Sequence, residues 1–396
     1  MIQPESLINH FFDNSYPCCQ FNDISLFINA LNIQHKPHVI TITGTNGKGS
    51  SVAVLEHFFE YNNIDYISHT SPHLCDFNER IRHNGQHIDD IALTAILDKL
   101  LQVSHILKLK LNYYQIAFLA CCIYMNEKKP QWLILEVGIG GRLDPANVFN
   151  ADIAVITYAG LDHTETLGNT IDEIAWEKAH IARTFKPVVL GEKLPKKAMD
   201  YLTEIQAITY YAQLPKIFKQ TTLPITSLAC ALTVIDIIKQ NTQYRLPQNI
   251  HQISIKGRFQ VLQNSPTMIA DVAHNIDAVK NLFKRLSPYQ KSHKRIIAVF
   301  AAQKTKDTQA IVQYTKDKVD FWLLPSLQAI DPRFDSVQEL KHKDDPHPHL
   351  IFNNFTDSYD YLKQIITDQD LVVVFGAFTL IGALLKAYEK QNLLCQ

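Results

Sequence analysis

Residues 39–59 read VITITGTNGKGSSVAVLEHFF. The first five are β-branched and apolar or small, the composition of a buried strand. Gly44-Thr45-Asn46-Gly47-Lys48-Gly49-Ser50 follows, and then a segment with Val52, Leu55 and Phe59 on one helical side. Strand, glycine-rich loop and helix in that order make a phosphate site. Glycines let backbone N–H groups turn toward an anion, the helix N-terminus adds its dipole, Lys48 brings a point charge and Ser50 a hydroxyl for phosphate or Mg²⁺. Two residues separate Gly44 from the Gly47-Lys48 pair, against four in the usual P-loop, so this is a shorter variant. The competing reading is a tight turn with an incidental lysine.

Outward from this loop, strand-length apolar segments alternate with helix-length amphipathic ones, the pattern of a parallel sheet with crossover helices. Strands are expected at Val39–Thr43, Tyr66–His69, Trp132–Val137, Ile153–Thr157 and Val188–Leu190, then at Met268–Val272, Ile296–Phe300, Phe321–Leu324, Leu350–Phe352 and Leu371–Phe375. Helices are expected at Ser51–Tyr61, Asp89–Leu107, Gln115–Asn126, Thr170–Arg183, Leu223–Lys239, Ile276–Leu286 and Thr379–Glu389. The stretch Lys193–Thr222 shows no clear period. The fold class is α/β: a P-loop-type, mostly parallel sheet in the N-terminal domain and a smaller Rossmann-like α/β C-terminal domain. The polar segment Asn241–Lys256 is the expected junction, with domains 1–252 and 253–396.

The chain has 396 residues, 46% hydrophobic and 19% charged, which suits two to three globular domains and excludes general disorder. Thirty-eight Lys and Arg against 39 Asp and Glu leave a formal charge of -1, so no excess positive charge grips a nucleic acid. Leu371–Phe375 and Ile296–Ala302 fall far short of the ~18–20 residues that span a bilayer. Met1–Asn14 has no Lys or Arg and no compact apolar stretch before a cleavage site, so a cytoplasmic protein is expected. Seven cysteines, with the doublets Cys18-Cys19 and Cys121-Cys122 and no CxxC pair, suit reduced, mostly buried thiols.

Glu136 closes an apolar strand, where an acid is costly unless it is paired or metal-bound. The phosphate loop, Thr70-Ser71-Pro72-His73, Glu136 and Asp162-His163 all follow strands, and in open α/β sheets ligands bind beyond the strands' carboxyl ends. Taken alone, Glu136 reads equally as a structural ion-pair partner, and His163 as a capping or solvent histidine. Thr170 with Glu173 forms a capping-box pattern that opens a helix with the stripe Ile171, Ile174, Ala175, Ile181 and Ala182. Lys178 falls into that stripe, so it is paired, neutral or chemically modified, unless it snorkels from the edge.

Seven segments in order resemble the folate branch of the Mur ligase family, the dihydrofolate synthases and folylpolyglutamate synthases. They are GTNGKGS at 44–50, TSPHL at 70–74 with NERIR at 78–82, LEVGIGGRLD at 135–144, LDHT at 161–164, EKA at 177–179, GRFQ at 257–260 and DVAHN at 271–275. The resemblance implies an ATP-dependent ligase that adds L-glutamate to dihydropteroate, a folate or both through an acyl phosphate. It implies that Thr45, Asn46, Gly47, Lys48, Gly49 and Ser50 bind ATP, with Arg258 and Asp271 of the C-terminal domain on the phosphates and the ribose or adenine side. Ser71 and Glu136 are implied to hold one Mg²⁺, and His163 and a carbamylated Lys178 a second. Together Lys48, Glu136, His163 and Lys178 are the implied catalytic set. His73, Tyr114, Gln115 and Arg142 are implied on the acceptor side and His274 near the incoming glutamate. With ATP contacts on both domains, closure on ATP binding is expected. The partners expected are small molecules, with no nucleic acid and no membrane, and the chain is expected to act as a monomer.

The sequence departs from the family pattern at five places. Cys18-Cys19-Gln20-Phe21 stands at the usual pterin-contact segment, and Tyr114-Gln115 replaces an aromatic-Glu pair. Thr226 or Ser227 stands where an ATP-contacting asparagine is usual, Ile276 where a proline follows Asn275, and Gly376-Ala377-Phe378 where Gly-Ser-Phe is usual. A monofunctional enzyme, a Mur-type ligase with a non-pterin acceptor and a nucleotide-binding regulator without catalysis are the alternatives.

Overall fold

The structure, a computed structural model, describes residues 4–12, 15–215, 218, 221, 223–240, 242–334 and 348–394. Asn241, where the expected junction begins, and Thr222, where the aperiodic stretch ends, lie outside them. The chain divides into two compact units, Met1–Ile253 and Ser254–Gln396.

The first unit is built on eight strands: β1 (His38–Thr43), β2 (Tyr66–His69), β3 (Ile81–His83), β4 (Gln86–His87), β5 (Trp132–Glu136), β6 (Ile153–Ile156), β7 (Pro187–Leu190) and β8 (Ile208–Tyr211). Their order across the sheet is β4-β3-β2-β5-β1-β6-β7-β8. The pairs from β2 to β8 are parallel, and β3 and β4 are added antiparallel at one edge. A strand covered on both faces must be apolar throughout, which is why β2, β5 and β6 are buried at every position and β1 at all but the first. Helices such as Lys48–Tyr61 and Tyr113–Lys128 cover the sheet, the latter burying eleven consecutive residues from Gln115 to Met125. This arrangement places Gly44, Thr70, Val137 and Thr157 at the carboxyl ends of four adjacent strands, β2-β5-β1-β6, with the phosphate loop between the others.

The second unit has six strands: β9 (Gln260–Asn264), β10 (Thr267–Asp271), β11 (Arg295–Phe300), β12 (Phe321–Pro325), β13 (His349–Phe352) and β14 (Asp370–Phe375). Their order is β13-β12-β11-β14-β10-β9, parallel except for β9, which pairs antiparallel with β10 across a register shift between Met268 and Ile269. Its core gathers Phe283, Phe300, Trp322 and Phe375. Among the described residues no helix is long and apolar enough to cross a membrane.

The periodic pattern missed the edge strands β3, β4, β8 and β9. These are two to five residues long and partly exposed, so they carry no apolar run. It also missed the helices Pro4–His10, Ile24–Ala30, Lys196–Glu204, Thr308–Thr315 and Phe355–Ile365. Lys196–Glu204 and β8 fall inside the stretch that shows no period. The helix expected to run to Arg183 ends at Ala179. The Arg183 guanidinium donates to the carbonyls of His180, Ile181 and Ala182, each at 3.1 Å, and so satisfies the groups a longer helix would have used. Ile181 and Ala182 are buried, but in the turn beyond the helix rather than on its stripe.

Candidate active site

The loop after β1 is anchored from β6. Thr45 N–H donates to the Tyr158 carbonyl at 2.8 Å, and Thr45 Oγ1 donates to the Gly160 carbonyl at 3.0 Å. Thr157, the first residue beyond β6, donates its hydroxyl to the Asn46 carbonyl at 2.6 Å. Gly47 has φ 88°, the left-handed conformation that glycine adopts freely, and a Cβ there would run into Ser227 Oγ. Lys48, at the start of helix Lys48–Tyr61, folds back so that Nζ donates to the Gly44 carbonyl at 2.7 Å. Ser50 Oγ is buried and has no hydrogen-bond partner among the described residues, as has Ser227 Oγ. A buried hydroxyl without a partner is costly, and its usual resolution is a ligand or an ion.

Glu136, at the end of β5, is 4% exposed. Its Oε2 accepts the Ser71 backbone N–H at 3.0 Å and lies 3.5 Å from where a side chain on Gly49 would begin. The strand end thus brings one carboxylate against both the phosphate loop and Ser71. Arg82 feels the Glu136 charge, but its direct partner is Glu56, which accepts from Nε at 2.8 Å. Tyr114 completes this side: its hydroxyl lies 2.9 Å from the Glu136 carbonyl and 3.0 Å from Asp144 Oδ1.

Asp144 organises the glycine-rich turn after β5. Its Oδ2 accepts N–H donors from Gly138 at 2.9 Å and Ile139 at 3.2 Å, and its Oδ1 accepts Ala146 N–H at 2.9 Å. Burial pushes its carboxyl up to about 6, while these donors pull it back down. Burial and the neighbouring Asp144 raise the Tyr114 phenol well above its ordinary value.

Lys178 is 3% exposed. Burial, and next the Lys48 charge, lower its amine to about 7, while Asp162 and Asp144 act in the opposite direction. Lys178 thus feels the charges of Lys48, Asp162 and Asp144. An amine at this value is substantially neutral, and hence nucleophilic, near pH 7. Arg142 joins from the same turn: Nε and Nη2 both donate to Glu177 Oε1, at 3.0 and 2.9 Å, and its guanidinium lies 5.3 Å from the Trp176 ring centroid. His163 has φ 52° and precedes the short helix Thr164–Leu167, with Nδ1 3.8 Å from Glu165 Oε1. Asp162 Oδ1 accepts the His163 N–H at 3.0 Å.

Two other residues expected on the acceptor side have different partners. His73 Nδ1 accepts from Arg80 Nε at 2.8 Å, its ring 6.0 Å from Tyr113. Gln115 is 5% exposed, closes a capping box with Asn112 and donates Nε2 to the Cys19 carbonyl at 3.0 Å. In the second unit, Asp271 accepts N–H donors from Phe259 at 2.7 Å and Ala273 at 2.8 Å, Arg258 lies over the Phe378 ring at 5.3 Å, and the His274 ring lies 6.0 Å from that ring. Sequence reasoning left out Thr157 and Asp144 as site residues. The signal for Thr157 was the one that found Glu136, a polar residue where an apolar strand ends beside the loop.

Among the described residues no three His, Cys, Asp or Glu side chains stand together as a ready metal site. A cation here would draw on a mixed set of a carboxylate and hydroxyl oxygens rather than on a cluster of acids. The buried Glu136 carboxylate and the unpartnered Ser50 hydroxyl fit such a group.

The model for the Mur ligase middle domain matches residues 42–261, and that for the Mur ligase, glutamate ligase domain matches residues 257–378. The chain is 30% identical over 382 residues to a dihydrofolate synthase/folylpolyglutamate synthase of Buchnera aphidicola subsp. Schizaphis graminum, covering 90% of this chain and 89% of that one. Escherichia coli FolC in complex with ADP superposes with a TM-score of 0.89 at 25% identity, over 98% of each chain. A Yersinia pestis bifunctional folylpolyglutamate synthase/dihydrofolate synthase complexed with AMPPNP and Mn ion gives 0.87 at 26% identity, again over 98% of each chain.

Proposed function

The chain belongs to the Mur ligase family, and on that premise we propose that it is an ATP-dependent ligase joining L-glutamate to dihydropteroate, to a folate or to both. The observation that carries the reading is the Glu136 carboxylate, buried at the end of β5 and held against both Gly49 of the phosphate loop and Ser71. The relatives that bear the same two activities in their names support the choice of acceptor.

The loop N–H groups and the N-terminus of helix Lys48–Tyr61 receive the nucleotide phosphates, with Thr45, Asn46, Gly47, Gly49 and Ser50 forming the cradle. Lys48 leaves the Gly44 carbonyl and turns its ammonium to the β- and γ-phosphates. An acceptor carboxylate oxygen attacks the γ-phosphorus, giving an acyl phosphate and ADP. The glutamate amine then attacks the acyl carbon, the C–N bond forms and phosphate departs. Ser71 and Glu136 would hold one Mg²⁺, and His163 with carbamylated Lys178 a second; such ions offset the repulsion between ATP and the carboxylate. Carbamylation needs the neutral amine, which the lowered Lys178 supplies. Tyr114, through Asp144, and Arg142, through Glu177, set the wall on which the acceptor is positioned, with His73 and Gln115 behind it. Residues 1–252 thus carry the ATP and acceptor sites, and residues 253–396 the glutamate-ligase domain with Arg258 and Asp271 on ATP and His274 on glutamate. The protein works in the cytoplasm as a monomer on small molecules.

The test is glutamate-dependent phosphate release from ATP with dihydropteroate and with tetrahydrofolate. Release with either supports the reading. Silence with both, alongside release with another carboxylic acid, would move the assignment to a non-pterin acceptor.

A further inference from the structure

In the second unit three segments meet around one aromatic ring. Phe259 has φ 47°, a left-handed backbone unusual for a bulky side chain, which persists only where its surroundings over-determine it. On the backbone side, its N–H donates to Asp271 Oδ2 at 2.7 Å, and Ala273 N–H holds the other carboxylate oxygen at 2.8 Å. On the ring side, the Arg285 guanidinium carbon lies 3.9 Å from the Phe259 centroid and the Tyr289 ring 6.0 Å away. Arg285 and Tyr289 are four residues apart on helix Ile276–Gln290 and so share a face. Arg258 is the residue immediately before Phe259, so the φ at Phe259 governs the direction in which the Arg258 and Asp271 groups are presented to each other. The Arg285 charge also acts on Asp271.

We propose that Arg285 is a positioning residue for nucleotide binding: stacked on Phe259, it locks that residue's backbone and thereby fixes Arg258 and Asp271 in a single arrangement. The inference rests on the assignment of Arg258 and Asp271 to ATP made above. A flat guanidinium at this distance is a strong cation–π contact, and a lysine retains the charge while losing the stacking plane.

The experiment measures equilibrium affinity for a non-hydrolysable ATP analogue, together with KM for ATP and for glutamate, in the full chain. Arg285→Met is expected to weaken the analogue and raise KM for ATP about five- to tenfold, the size of one partly buried cation–π contact, with kcat and the glutamate KM within about twofold. Arg285→Lys, which keeps the charge but loses the stacking plane, should recover only part of the loss and still bind the analogue measurably more weakly than the parent. Phe259→Leu should weaken ATP to a similar extent, and adding it to Arg285→Met should cost little more, because both remove the same contact. Arg258→Ala separates the two levels. If it weakens the analogue while Arg285→Met does not, the positioning role is overturned and the ATP assignment stands. If Arg258→Ala leaves affinity unchanged, the ATP assignment falls and this inference with it. Should Arg285→Met unfold, the Arg285→Lys and Phe259→Leu pair decides: unchanged ATP affinity in both overturns the role.

Discussion

Glu136 Oε2 accepts the backbone N–H of Ser71 at 3.0 Å, joining the ends of β5 and β2 at the edge of the phosphate loop. The bond needs only a carbonyl-type acceptor, whereas offsetting phosphate charge through a metal needs the negative charge. Glu136→Gln separates the two. The amide oxygen can still accept from Ser71, so the melting temperature should change by no more than a few degrees, while turnover falls by about a hundredfold or more. Phosphate release and a thermal melt on the same sample check this. A variant that keeps most of its turnover would remove Glu136 from the chemistry.

Two glycines in the loop should respond to alanine with opposite signs. At Gly47 the backbone is left-handed and a methyl would meet Ser227 Oγ, so Gly47→Ala is expected to cost about 1–3 kcal/mol of stability. At Gly49 the nearest atom to a new methyl is 3.5 Å away, an ordinary contact, and the residue lies in the first turn of a helix. Gly49→Ala should therefore leave stability unchanged or raise it by about 0.5–1 kcal/mol. Urea unfolding decides, and equal destabilisation at both positions would contradict the geometry.

Lys178 gives the pH dependence. Its folded-state amine is lowered from 10.5 to about 7. Between those values the unfolded chain holds a proton that the folded chain does not, so stability rises with pH across this window, and below pH 7 the folded state carries the full cost of a buried ammonium. Lys178→Met removes the titration. In buffers free of bicarbonate and divalent metal, the variant should be more stable than the parent at pH 6.5. The difference should shrink by up to about 1.4 kcal/mol per pH unit between pH 7.5 and 9. Turnover should be lost at every pH. A pH-independent difference would mean that Lys178 is not held neutral by its surroundings.

The parts of the site visible in the sequence were those with a local cause. Gly44–Ser50 lies between a β-branched strand and an apolar helix face, Glu136 breaks an apolar run, and Thr170 with Glu173 announces a helix start that the structure reproduces as a capping box. What stayed hidden depends on contacts distant in sequence. Thr157 becomes part of the loop only because β6 lies beside β1, and Asp144 reads as a loop acid until Tyr114, thirty residues away, reaches it. The end of the helix carrying Lys178 was misread because Arg183, an ordinary helix former, turns its guanidinium onto the carbonyls that would have continued the helix.

Gln115 is where sequence and structure differ most in meaning. Beside the family pattern it reads as an acid lost from the acceptor pocket, yet its side chain works at both ends. Oε1 accepts the Asn112 N–H at 2.9 Å and Nε2 donates to the Cys19 carbonyl at 3.0 Å, tying helix Tyr113–Lys128 to the N-terminal segment. A glutamate could keep the first bond but not the second, and would set a carboxylate oxygen against a buried carbonyl. Gln115→Glu should therefore destabilise the first unit by about 1–3 kcal/mol near pH 7. The loss should be smaller near pH 4, where a protonated carboxyl can donate to Cys19. Urea unfolding of the variant and its parent at the two pH values measures both quantities. A variant as stable as the parent at pH 7 would show that the Cys19 tether contributes nothing, and that the departure concerns the acceptor pocket rather than the fold.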